Sequence, residues 1–119
     1  MATIKSYTDL SQSKTLSKIL PLESADMYWW SSGKRYYIEA MDDGDFNEEE
    51  GHVRAWSLAA LLNIIQKTTP YKLEHYGDKK VQLTCVLGDK PWELIISDFN
   101  NEVDACYEMI LKLHEEDLL

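Results

Sequence analysis

Two cysteines, three prolines and five glycines in 119 residues deny this chain the usual material of a stapled, looped or repetitive protein. Cys85 and Cys106 are too few for a disulfide scaffold and form no C-x-x-C pair that would grip zinc or cycle electrons. Such sparing use fits a reducing compartment, so a cytoplasmic protein is expected. Long hydrophobic runs are missing too. The longest apolar stretch, Leu58 to Ile65, is interrupted by Asn63 and falls well short of the ~20 residues of a membrane helix. The opening MATIKSYTDL carries no apolar segment after its lysine, and neither export nor membrane association is expected.

Positive charge is outnumbered as well. Twelve Lys and Arg face 21 Asp and Glu, for a formal net charge of −9. The imbalance is local: residues 42–52 hold six acids and no Lys or Arg, and residues 101–119 hold six acids against Lys112 alone. Such a field repels phosphate backbones, which argues against a nucleic-acid partner and favours a basic protein surface.

The signatures of common chemistry are absent as well. There is no Gly-rich phosphate loop, no H-E-x-x-H and no G-x-S-x-G elbow, so no catalytic residue, metal ligand or cofactor is assigned. Asp43, Asp45 and Asn47 match the first alternating ligands of a calcium loop. The sixth position, which needs a sharp turn, is however Glu48, and the twelfth, which needs a bidentate carboxylate, is Arg54. His52, His75 and His114 share no ligand spacing.

Hydrophobic periodicity is present, and it predicts a small α+β fold. Val103, Cys106, Tyr107, Ile110 and Leu113 recur at helical spacing after Asn100-Asn101, which can cap the helix start. Leu58, Leu61, Leu62 and Ile65 form a second stripe between a Ser57 cap and Pro70. Thr8 is expected to cap a helix over residues 9–20. Residues 71–76, 80–87 and 92–97 alternate as three strands joined by short turns. Residues 27–30 and 35–41 read as a hairpin that either extends this sheet or packs beside it. The expected fold is a single two-layer domain over residues 1–119: an antiparallel meander plus an N-terminal hairpin, with about three helices mainly on one face.

The opening YTDLSQSKTLSKILPLESADMYW, the helix AWSLAALLNII with its following proline, the Trp-bearing strand and the closing NEVDACYEMILKLHEE resemble small uncharacterised accessory proteins of phages and mobile elements of gut bacteria. The resemblance implies a phage-type accessory protein, with no assigned activity and no functional residue to carry over. The acidic segment 42–52 lies outside the shared pattern.

One further concentration stands out. Tyr28, Trp29, Trp30, Tyr36 and Tyr37, five of the thirteen aromatics, fall within ten residues on the two arms of the hairpin. Strand alternation divides them between two faces, so some should remain outside the core as interface anchors, unless a second layer covers both faces. The candidate partner-binding residues are therefore Trp29, Trp30, Tyr36 and Tyr37 with the adjoining acids Asp42, Asp43, Asp45, Glu48, Glu49 and Glu50. The favoured function is a non-catalytic protein-interaction module with a basic partner. A small hydrolase or transferase using carboxylates and a histidine, and a self-associating structural subunit, are the alternatives.

Overall fold

A computed structural model of the chain describes residues 5–41, 44–77, 80–87 and 92–119. Three helices, α1 (Leu10–Leu16), α2 (Leu58–Thr68) and α3 (Glu102–Glu115), combine with six strands. Strands β1 (Met27–Ser31), β2 (Tyr36–Ala40) and β3 (Val53–Ala55) form one antiparallel sheet in the order β2-β1-β3. Strands β4 (Tyr71–Tyr76), β5 (Lys80–Leu87) and β6 (Trp92–Phe99) form a second, the expected meander. The class is α+β. The hairpin does not extend the meander, because β3 pairs with its inner arm at Met27↔Ala55 and Trp29↔Val53 and completes a separate sheet.

Helix α1 departs from the expectation at both ends. Its cap is Asp9, whose carboxylate accepts from the Gln12 amide at 2.8 Å while the Gln12 side chain accepts from the Asp9 amide at 3.1 Å, a reciprocal capping box. Thr8 instead turns inward, where its hydroxyl pairs with Ser13 Oγ at 2.7 Å and accepts from the Trp56 amide at 3.1 Å. The regular helix stops at Leu16, and an irregular turn carries the buried Leu20 back to the core. The other caps fall where the residue chemistry places them, with Ser57 accepting from the Ala60 amide and Asn101 from the Asp104 amide.

The meander presents Val81, Leu83, Cys85 and Ile96 to α2 and α3, which contribute Leu61, Ile64, Ile65, Val103, Cys106, Met109, Ile110 and Leu113 to one core. Trp56 is fully buried there, and its indole N–H donates to Ser24 Oγ at 3.0 Å. The last strand runs past Ser97 to Phe99 because a bulge absorbs one residue: Leu83 faces Ile96, whereas Val81 faces Phe99. Asp98 takes the left-handed conformation at φ 68° and is held from both ends, its amide donating to the Tyr76 hydroxyl at 2.9 Å and its carboxylate accepting from it at 2.7 Å.

A polar clasp joins the segment before α1, and α1 itself, to the first turn of α3. Lys5 Nζ lies 2.7 Å from Asp104 Oδ1, which also accepts from Gln12 at 2.9 Å, while Asp104 Oδ2 accepts from Asn101 at 2.8 Å. Burial alone would lower the Lys5 pKa, yet its hydrogen bonds to Asp104 and Asp9 raise it overall. Burial likewise pushes Asp104 up, but the hydrogen bonds from Lys5, Gln12 and Asn101 hold its carboxyl below the ordinary range.

Candidate functional site

The hairpin register sorts the aromatic cluster. Tyr28 faces Glu39 across one side and Arg54 across the other, and Trp30 faces Tyr37. Side chains directly opposite in a ladder share a face, so Tyr28, Trp30, Tyr37, Glu39 and Arg54 line one surface of the sheet. Trp29 belongs to the opposite surface with Ile38 and Val53. Its indole N–H donates to the Thr8 carbonyl at 3.2 Å, and its ring meets Tyr7 edge-on at 5.7 Å. Trp29 therefore closes the sheet against the N-terminal segment. Tyr36 is also on that side, opposite Ser31 near the turn, and is 51% exposed.

On the first surface, Trp30 and Tyr37 stack at 4.8 Å with planes 26° apart, and Tyr37 stays 42% exposed. Strand β2, which carries Tyr37, is one of the sheet's two edge strands, and Trp30 lies beside it on the central strand β1. The Trp30 indole nitrogen is buried with no hydrogen-bond partner among the described residues. Such an orphan donor costs about 1–3 kcal/mol.

The acidic segment is fastened to this same surface. Phe46 meets Tyr28 edge-on at 5.6 Å, and His52 stacks on the same ring at 5.2 Å and 21°. Tyr28 is only 3% exposed, and its hydroxyl donates to Glu39 Oε2 at 3.0 Å. Polar bonds complete the attachment. His52 Nδ1 accepts from the Asn47 amide at 3.0 Å, and Asn47 Oδ1 accepts from the Glu49 amide at 2.9 Å. Gly51 turns the chain at φ 87°, a conformation that suits glycine. Arg54 then grips Glu48 Oε1 at 2.6 Å through Nε, while Nη1 donates to the Leu20 carbonyl at 3.1 Å.

Asp45, Glu48, Glu49 and Glu50 are all exposed on this tethered loop. Asp42 and Asp43 lie outside the described residues. The structure thus joins Trp30 and Tyr37 to the acids from Asp45 to Glu50 through three residues absent from the candidate set, Tyr28, Phe46 and His52. A signal for them exists in the sequence: Phe46 and His52 are the only ring-bearing side chains in the strongly polar run 42–52.

Elsewhere the chemistry is quiet. Burial pushes the Cys85 thiol up to about 11 and the Cys106 thiol up to about 12, where a thiolate nucleophile is scarce at neutral pH. His75 pairs with Glu102 at 2.5 Å, and that hydrogen bond lowers the Glu102 pKa. Among the described residues, no three or more His, Cys, Asp or Glu are grouped to hold a metal ion, and no helix is long and apolar enough to cross a membrane. Set against protein-family models, curated proteins and solved structures, the chain matches none of them.

Proposed function

We propose that this chain is a non-catalytic interaction module, an accessory protein of phage or mobile-element type, whose contact surface is the β2-β1 face bearing Trp30, Tyr37 and Glu39 together with the acidic loop 44–51. The observation that carries this reading is the packing of both Phe46 and His52 on Tyr28. It gives exposed carboxylates a fixed position beside the exposed Tyr37 and the half-buried Trp30 under it, and a pre-ordered surface loses less entropy on binding than a loose acidic tail. Tyr37 over Trp30 supplies the apolar anchor, and Glu49 and Glu50 supply the charge that selects a basic protein and speeds its approach.

The test compares capture from host lysate by the wild type, by Tyr37→Ser, by Glu49→Gln/Glu50→Gln, and by Ile95→Ser on the other sheet. A protein retained by the wild type and Ile95→Ser but lost from the other two supports the reading. Recovery of identical proteins by all four baits refutes it.

A further inference from the structure

Behind the acidic loop, on the side of β3 away from β2, lies an open groove of about 490 Å³ with a charge opposite to that of the whole chain. Lys14 and Ser17 at the end of α1, Lys18 just beyond it, and Glu48, His52 and Arg54 from the loop and β3 line it. Three Lys and Arg side chains thus meet a single carboxylate in a protein of net charge −9. Lys14 in α1 and Lys18 in the turn after it bring two like charges to one groove, where they repel. Both are exposed, and neither has a carboxylate partner among the described residues. Arg54 is different, being clamped by Glu48 and by the Leu20 carbonyl. Those two bonds use two of its five N–H donors and leave three available, on a guanidinium whose position is already set.

From this arrangement we infer that the groove binds a small, multiply charged oxyanion of the polyphosphate kind. The two lysines supply the unneutralised charge, and Arg54 supplies oriented donors that match planar or tetrahedral oxyanions. The volume is that of an ordinary small-molecule site. A long polyanion is disfavoured, because the exposed carboxylates of the neighbouring loop would repel whatever extended beyond the groove. The groove shares Glu48, Gly51 and Arg54 with the loop and sheet face of the proposed interface, but its two lysines belong to α1 and the turn after it, outside that face.

Titration of the 15N-labelled full chain with sodium tripolyphosphate at low salt, followed by amide shifts, tests the inference. Saturable shifts at Gly51, His52 and Arg54 are expected. Affinity should fall roughly tenfold in Lys14→Gln/Lys18→Gln and be retained in Lys34→Gln/Arg35→Gln and in Tyr37→Ser. Both groove lysines are solvent-exposed, so the double variant keeps its fold, and Lys18→Glu provides a second variant in which binding is lost. The inference is overturned by an absence of saturation, by shifts mapping elsewhere, by equal affinity of the double variant, by sulfate at matched ionic strength reproducing the same shifts, or by a single-stranded oligonucleotide binding more tightly than tripolyphosphate.

Discussion

Replacing Phe46 with alanine should free the acidic loop while leaving the core intact. Phe46 is half-buried and meets Tyr28 edge-on at 5.6 Å. Half the burial of a phenylalanine contributes about 1 kcal/mol, and an edge-to-face ring pair adds about 0.5–1.5 kcal/mol, so the truncation removes roughly 1.5–2.5 kcal/mol. What then holds the loop is the His52 stack on Tyr28, an Arg54–Glu48 pair whose carboxylate is 51% exposed, and the Asn47–His52 bond. An ion pair so open to water contributes under about 1 kcal/mol. The loss is local, because Phe46 touches no part of the α2–α3 core cluster. Native-state hydrogen exchange reads it directly. The amides of Asn47, Glu50 and Gly51, bonded to His52 Nδ1, Asn47 O and Glu48 O, should lose protection by between about tenfold and about seventyfold, at ~1.4 kcal/mol per decade. Amides of α3 should not change. Unaltered protection in the loop would refute the reasoning, and so would an equal loss throughout the molecule, which would make Phe46 part of the global fold instead.

Three other outcomes follow from the geometry. Asp104→Asn breaks the clasp to Lys5, Gln12 and Asn101 and should lower stability to urea by about 1–2 kcal/mol at pH 7. Because the folded-state pKa of Asp104 is depressed, the wild-type advantage is present above the ordinary carboxylate value and should vanish as pH falls through the depressed one. Trp56→Ala empties a fully buried indole site and removes the indole hydrogen bond to Ser24, so a global loss of about 3–5 kcal/mol is expected in the same assay. Cys85 and Cys106, with thiols pushed up to about 11 and about 12, should resist a thiol-specific reagent at pH 8 and react promptly once guanidinium unfolds the chain.

Where local chemistry and tertiary packing agree, the elements were readable in advance. Ser57 and Asn101 cap their helices as their side chains allow, and β4 and β5 match the alternating runs 71–76 and 80–87. Where long-range contacts decide, pattern failed. Thr8 has the chemistry of a cap but is drawn inward by Ser13 and Trp56, which are distant or offset in sequence, and Asp9 takes its place. Val53–Ala55 is too short to show alternation, and only pairing with β1 makes it a strand. The bulge at Asp98 depends on Tyr76 across the sheet, which hides the true end of β6 from any local window. The same holds at the site. The concentration of rings and acids is visible along the chain, but the inward turn of Trp29 and the clamping of Tyr28 by Phe46 and His52 are facts of register and folding.

Whether carboxylates and rings belong to one surface can be measured most directly by through-space NMR in the unmodified protein. Cross-peaks should connect the ring protons of Tyr28 to those of both Phe46 and His52, with Trp30 connected to Tyr37. A spectrum that keeps the contacts of the buried Trp56 but has none between Tyr28 and the segment 46–52 would separate the acids from the sheet and contradict the proposed interface.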